Sequence, residues 1–178
     1  NVARAEWLQA LAELLKRRDI LLIVDDVQMG VGRTGQFFSF EEAGIVPDIV
    51  TLSKSIGGYG MPMALTLIRP DLDVWGPGEH NGTFRGNNPA FVTSAAAIEH
   101  FWSDDTFEKE ILAKGERIRA AFTDLADRFE GVSTRGRGMV HGLVFADGDL
   151  AGKVTSMAYD QGLLAETSGP SDEVVKLL

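Results

Sequence analysis

Leu21–Gln28 reads LLIVDDVQ and Asp48–Lys54 reads DIVTLSK, and these two segments decide the fold. Each is a short apolar run that ends in charged or polar residues, which is typical of a buried strand reaching the edge of a sheet. Open α/β sheets bind ligands at the carboxyl ends of their strands. The two segments therefore predict a carboxylate, Asp25, and an amine, Lys54, at the ligand-binding edge of a mostly parallel sheet.

An acid and an amine at neighbouring strand ends have two interpretations. Asp25 and Lys54 could form a structural ion pair. They are also the two groups that pyridoxal phosphate requires, an amine for a Schiff base and a carboxylate for the pyridinium nitrogen. The two residues alone leave both interpretations open.

The surrounding motifs resemble those of a known family. DDVQMGVGRTG at Asp25–Gly35, the SIGG that follows Lys54, and HNGTFRGNNP at His80–Pro89 are similar to the signature of class III aminotransferases of fold type I. The resemblance extends from Leu21 to about Phe91. It implies the α/β fold of type I pyridoxal-phosphate transferases: part of a large, mostly parallel sheet domain, followed by the start of a small α+β carboxyl-terminal domain.

The resemblance implies catalytic roles for Lys54 and Asp25 with bound pyridoxal 5'-phosphate. Lys54 would hold the cofactor as a Schiff base and move the substrate proton, which requires an amine pKa well below the ordinary value of about 10.4. Asp25 would keep the pyridine nitrogen protonated. Val27 would pack on the ring, and Gln28 would hydrogen-bond the 3-hydroxyl. Thr83 would reach a phosphate of the neighbouring subunit's cofactor, which implies a homodimer or a higher homo-oligomer. Ordinary packing for Val27 and Gln28, and a turn hydroxyl for Thr83, are the alternatives.

The substrates implied by the resemblance are an amino donor and an aldehyde or keto acceptor. Arg85 and Asn88 stand where the commoner family form has Gly and Pro, and both fit the subgroup that makes 2,4-diaminobutyrate for ectoine synthesis, with glutamate as donor and aspartate-4-semialdehyde as acceptor. The alternatives are another class III activity, on ornithine, acetylornithine, 4-aminobutyrate or an ω-amine, or a non-catalytic fragment. Arg85 could contact a substrate carboxylate or phosphate, or form a surface or interface salt bridge.

Composition narrows the possible partners. The 178 residues carry a net charge of −9, which argues against nucleic acid, and they contain no cysteine for a disulfide or a thiolate metal site. The three histidines lack metal-ligand spacing, so no metal site is expected. No apolar run reaches membrane length, and no signal peptide is visible, so we expect a cytoplasmic protein. The chain starts without methionine and stops inside a predicted strand, so we expect an internal segment of a larger enzyme.

Hydrophobic periodicity predicts a connecting helix over 104–130. The resemblance then implies that residues 1–103 are part of the large cofactor domain and residues 131–178 part of the small domain. The predicted helices cover residues 3–18, 89–102, 107–129 and 150–161. The predicted strands cover residues 20–24, 49–52, 64–68, 139–145, 163–167 and 174–178.

The glycines at 30, 32 and 35 imitate a dinucleotide-binding fingerprint, G-x-G-x-x-G after a strand. That motif requires the glycines to open a helix, yet Gln36–Phe40 shows no cap and no helical periodicity. We therefore predict a loop here, and a dehydrogenase is not expected.

Overall fold

The computed structural model describes residues 2–82 and 85–178. Thr83, the predicted phosphate ligand of a neighbouring subunit, lies outside the described residues.

The chain divides into two packing units. The first unit comprises Ala3–Gly32 and Gln36–Phe107, and the second comprises Arg33–Gly35 and Glu108–Leu178, together with the amino terminus. Over the described part of the chain, no helix combines the length and the apolar character needed to span a bilayer.

Two helices and a three-stranded sheet make up most of the first unit. Its elements are α1 (Ala5–Arg17), β1 (Ile23–Asp25), β2 (Ile49–Leu52), β3 (Leu65–Ile68) and α2 (Asn88–Phe101). Four of the five lie within two residues of their predicted bounds. β1 begins three residues later than predicted and ends one residue later, so Asp25 is its last residue rather than the residue after it.

The sheet of the first unit has the order β1-β2-β3. β1 and β2 are parallel, with Ile23 paired to Ile49 and Asp25 paired to Thr51. β3 runs antiparallel to β2, so the expectation of parallel strands holds for only one of the two pairs. The reason is the short connection between β2 and β3, which contains a 3₁₀ turn and no crossover helix, whereas parallel neighbours usually need such a crossover.

A small apolar core fixes this sheet against the loops that follow its strands. Leu52 and Ile56 are each only 1 % exposed, and they pack with Phe40 and Val50. Burying a side chain of this size contributes about 1.5–3 kcal/mol. Leu52 and Ile56 flank Lys54 in sequence, so the core anchors the chain on both sides of that lysine.

The second unit contains a four-stranded antiparallel sheet and two helices. Its elements are α3 (Thr106–Arg128), whose first two residues belong to the first unit, then β4 (Ser133–Arg137), β5 (Val140–Val144), α4 (Gly148–Asp160), β6 (Glu166–Ser168) and β7 (Val174–Leu177). The strand order is β4-β5-β7-β6. Its core contains Phe122, Leu143, Ala151 and Val175. The helix predictions are confirmed, whereas β4 was not predicted.

Candidate active site

The carboxylate of Asp25 lies at the carboxyl end of β1. Its Oδ1 accepts hydrogen bonds from the Val27 amide at 3.1 Å and from Thr51 Oγ1 at 3.5 Å. The other oxygen, Oδ2, takes no part in these two bonds. Because Asp25 pairs with Thr51 in parallel register, β1 and β2 end at the same edge of the sheet. Asp25 is exposed at that edge.

Lys54 stands three residues beyond Thr51, at the same edge as Asp25. It opens a 3₁₀ turn, Lys54–Gly57, with a φ of 51°. A left-handed backbone costs a residue other than glycine on the order of 1–3 kcal/mol, and such residues cluster at functional sites. The Lys54 side chain is exposed. The structure therefore brings the predicted acid and the predicted amine to one edge of the sheet, the edge where this class of fold binds ligands.

The sequence favoured a structural rather than a catalytic role for Asp26, but it did not identify the partners of this residue. It is 1 % exposed, its backbone oxygen accepts from the Gly30 amide at 3.0 Å, and its Oδ2 accepts from the Ser39 amide at 3.0 Å. Within the described residues, its Oδ1 has no hydrogen-bond partner. The buried carboxylate thus ties the turn after β1 to the loop around Ser39. The sequence signal was an acid placed directly after an apolar run, although the strand that this run forms is partly exposed, with Ile23 58 % exposed.

Val27 and Gln28 lie in this turn, and both are half-buried. The turn is tight, because a methyl group on Gly30 would come within 2.6 Å of Asp26 Oδ2 and 2.9 Å of its backbone oxygen. The bonds to Asp26 therefore fix the backbone that presents Val27 and Gln28 beside Asp25.

The glycine-rich loop lacks the geometry of a dinucleotide-binding fingerprint. The Val31 amide donates to the Phe37 carbonyl at 2.5 Å, and the Gly32 amide donates to the Gln36 carbonyl at 3.1 Å, which folds the loop back on itself. Residues 36–40 form no helix. Since the fingerprint requires a helix opening at the glycines, the prediction of a loop is confirmed.

The described residues around Thr83 form an exposed loop. The Arg85 guanidinium donates to the His80 carbonyl, and the Arg85 amide donates to the Gly82 carbonyl at 3.2 Å. Arg85 therefore closes its own loop. Its predicted contact with a ligand or with a neighbouring subunit stays a prediction.

A cavity of about 520 Å³ lies at the opposite edge of the first sheet, between α1 and the amino ends of β1 and β2. Two of its charged groups, Arg69 and Asp48, pair with each other; Arg69 also bonds Asp71, and Asp48 Oδ2 accepts from the Leu22 amide at 2.7 Å. The bond to Asp71 raises the pKa of Arg69, and the same bond lowers the pKa of Asp71. The Arg69–Asp48 ion pair fastens this edge, and neither Asp25 nor Lys54 is among the residues that line the cavity.

We call the edge of the first sheet that carries Asp25 and Lys54 the Asp25 edge. The chemistry of its groups fits pyridoxal phosphate. Lys54 offers an exposed primary amine, and Asp25 offers a carboxylate with one oxygen outside its local hydrogen bonds. An amine and an acid on neighbouring strand ends are the groups that this cofactor uses.

Comparison with known proteins agrees with this fold. The family profile described as "Aminotransferase class-III" matches residues 1–178. A diaminobutyrate–2-oxoglutarate transaminase of Nocardia farcinica is 67 % identical over 178 residues, covering all of this chain and 41 % of that protein. The protein of the same name from Vibrio parahaemolyticus is 55 % identical, covering 99 % of this chain and 42 % of that protein. The chain thus spans about two fifths of the length of these curated relatives.

Solved structures show the same fold at lower sequence identity. Ornithine δ-aminotransferase of Plasmodium falciparum superposes with a TM-score of 0.86 at 26 % identity, covering 99 % of this chain and 46 % of that one. Acetylornithine aminotransferase of Elizabethkingia anophelis gives a TM-score of 0.87 at 26 % identity, with the same coverage. Because the family profile spans every residue and the fold agrees, the chain belongs to the class III aminotransferases, with the fold of the type I pyridoxal-phosphate enzymes.

Proposed function

We propose that this chain forms part of a pyridoxal-phosphate-dependent enzyme that transfers the amino group of glutamate to aspartate-4-semialdehyde, giving 2,4-diaminobutyrate and 2-oxoglutarate. One observation carries the proposal. Eight curated relatives, 52–67 % identical over 99–100 % of this chain, share the name diaminobutyrate–2-oxoglutarate transaminase. The structural relatives named for ornithine or acetylornithine are only 26–28 % identical, which favours diaminobutyrate.

Each residue at the Asp25 edge has a chemical role in this proposal. Bound pyridoxal phosphate supplies an electron sink for the exchange of an amino group. The Lys54 amine binds the cofactor and, once released, holds the proton of the carbon whose amine is exchanged. The Asp25 carboxylate holds the proton of the pyridine nitrogen. Val27 packs on the ring, and Gln28 orients it through its hydroxyl.

Borohydride reduction followed by peptide mapping tests the role of Lys54. In the full-length cofactor-loaded enzyme, we expect the reduced cofactor to be covalently bound to Lys54. The exposed Lys153 on α4 serves as an internal control that should stay unmodified. A reduced adduct on a lysine other than Lys54 would refute the assignment.

A substrate panel tests the identity of the substrates. With 2-oxoglutarate as acceptor, kcat/KM for 2,4-diaminobutyrate should exceed that for ornithine, acetylornithine and 4-aminobutyrate by at least about tenfold, which is about 1.4 kcal/mol of transition-state discrimination. A reversed preference would place the enzyme in another branch of the family.

We propose further that the enzyme works as a homodimer or a higher oligomer in which Thr83 of one subunit completes the phosphate site of another. The support is the resemblance of the His80–Pro89 segment to the family's phosphate-binding segment. Mixing an inactive Lys54→Ala chain with a Thr83→Val chain should restore some activity, because one composite site then has both intact residues. An active monomer in sedimentation, or confirmed mixed dimers without activity, would contradict shared sites.

The coverage of the relatives supports a proposal that the active enzyme is longer than these 178 residues. Residues 1–178 expressed alone should bind pyridoxal phosphate weakly, without turnover. Tight binding and turnover close to those of a full-length control would contradict this.

The biological setting we propose is ectoine synthesis under osmotic stress, in the cytoplasm. The support is the fit of Arg85 and Asn88 to the subgroup that makes diaminobutyrate for this purpose. Deleting the gene should abolish ectoine accumulation at high salt, and unchanged accumulation would exclude this role.

A further inference from the structure

The chain on both sides of Lys54 is held by a group of hydrogen bonds centred on Met63. We call residues 53–63 the lysine loop. Ser53 Oγ donates to the Met63 carbonyl at 2.9 Å, which joins the two ends of this loop. Ser94 Oγ, on α2, contacts the Met63 sulfur at 2.7 Å. Met63 itself packs against the Leu52–Ile56 core, so it provides a fixed point for the loop.

Apart from the buried Ile56, the lysine loop has a flexible sequence, so a tie between its two ends limits its conformations. Three of the eight residues from Lys54 to Met61 are glycine, and glycine loses more conformational freedom on ordering than any other residue. The tip of the loop is open to solvent, with Tyr59 fully exposed. Thr93 Oγ1 adds only a long contact to the Gly57 carbonyl, at 3.4 Å.

The backbone conformation of Lys54 is also unfavourable by itself. Its φ of 51° is disfavoured for a residue with a Cβ atom. If this backbone relaxed to an ordinary conformation, the direction of the Lys54 side chain relative to the sheet edge would change. Ser53, the preceding residue, is extended, with φ and ψ both at −158°, and its side chain fixes it to Met63.

We propose that Ser53 is a positioning residue for Lys54: its hydroxyl, bonded to the Met63 carbonyl, holds the lysine loop closed and keeps the Lys54 amine aimed at the ligand-binding edge. This inference rests on the proposed role of Lys54. Ser53 does not have to touch the cofactor or the substrate. It acts through the backbone of its neighbour.

Ser53→Ala in the full-length cofactor-loaded enzyme tests the inference, and Ser55→Ala is the matched control. Ser55 flanks Lys54 on the other side. Among the described residues its side chain has no hydrogen-bond partner, and its backbone carbonyl accepts from the Gly58 amide at 3.0 Å. We expect Ser53→Ala to lower kcat about tenfold, with KM for the amino donor changed less than about twofold. Ser55→Ala should change neither by more than about twofold.

A spectroscopic readout separates positioning from loss of stability. The visible absorbance of the bound cofactor changes with pH, because the Schiff base between the cofactor and the lysine titrates. The midpoint of this absorbance change depends on how the lysine is positioned. Ser53→Ala should shift this midpoint, whereas Ser53→Thr, which keeps a hydroxyl, should restore both the midpoint and kcat. Ser94→Ala, which releases only the sulfur contact, should shift the midpoint less.

The outcomes distinguish this inference from the proposed function. Reduced cofactor on Lys54, with a Ser53→Ala enzyme identical to wild type in kcat and midpoint, would overturn the inference alone. A lowered melting temperature with an unmoved midpoint would also overturn it, because Ser53 would then be only structural. Reduced cofactor on a different lysine would overturn the proposed function and this inference with it.

Discussion

Because the backbone of Lys54 is left-handed, we expect glycine to be more stabilising than alanine at this position, which reverses the usual order. At most positions alanine stabilises a protein relative to glycine, by roughly 0.5–1 kcal/mol. At a φ of 51° the Cβ atom is itself a liability, with a cost on the order of 1–3 kcal/mol that glycine avoids. We therefore expect the Lys54→Gly protein to be more stable than the Lys54→Ala protein, by about 0.5–2 kcal/mol.

The exposed Lys153 supplies a matched control, because it lies in the interior of the helix α4. There glycine should be less stable than alanine by about 0.8–1 kcal/mol. Both lysine side chains are exposed, so removing either should cost little through lost packing. The comparison of glycine with alanine at each site then isolates the backbone.

Urea denaturation of the four cofactor-free variants measures the effect, with midpoints compared at a common slope. The expected result is opposite order at the two sites: glycine above alanine at Lys54, and alanine above glycine at Lys153. If alanine is the more stable at both, the Lys54 backbone is not strained, and no strain is retained there for function. Neither Lys54 variant should catalyse transamination.

Three further predictions concern other residues. Asp25→Asn keeps the shape of the side chain but removes its charge, and should lower kcat at least about 10²-fold, or roughly 2.7 kcal/mol; near-normal turnover would make Asp25 purely structural. Gly30→Ala should destabilise the protein by about 1–3 kcal/mol, because the new methyl would lie 2.6 Å from Asp26 Oδ2. By contrast, a methyl group on Gly152 would meet no atom within 4 Å, so Gly152→Ala should stabilise α4 by up to about 1 kcal/mol. Urea denaturation measures both variants, and an equal change in stability for Gly30→Ala and Gly152→Ala would contradict this packing. Burial lowers the pKa of His141, so the unfolded chain takes up that proton at a higher pH than the folded chain. Stability should therefore fall as pH drops through about 6.5, and His141→Gln should reduce that fall; an unchanged slope would show that His141 does not contribute to it.

Long periodic elements of this fold could be predicted from the sequence. The leucines of α1 and the apolar residues of α3 repeat at steps of three and four. The predicted ends of both helices therefore lie within two residues of the observed ends. β4 was missed because its residues, STRGR, carry no apolar alternation. It exists because it pairs with β5, and that pairing is a tertiary contact.

The same difference between local sequence patterns and tertiary contacts applies to the candidate active site. Asp25 and Lys54 were predictable because each ends an apolar run, which is a local signal. The burial of Asp26 and the tie from Ser53 to Met63 were not, since the first depends on the Ser39 amide thirteen residues away and the second joins residues ten apart. Sequence patterns indicate which groups reach an edge, whereas the contacts that hold them there come from distant parts of the chain.

The two hydrogen bonds between Asp48 and Leu22 determine where the chain can tolerate insertions. Asp48 bonds Leu22 through both its backbone amide and its side chain, so β1 and β2 are aligned from their starting ends. The loop between the two strands can change length beyond Ser39, where the bonds of Asp26 end, without shifting Asp25 relative to Lys54. A single residue inserted between Ile49 and Lys54 would instead rotate every later side chain to the other face of the sheet. Length variation during evolution or engineering should therefore be confined to the loop, and the short run from Asp48 to Lys54 should keep a fixed length.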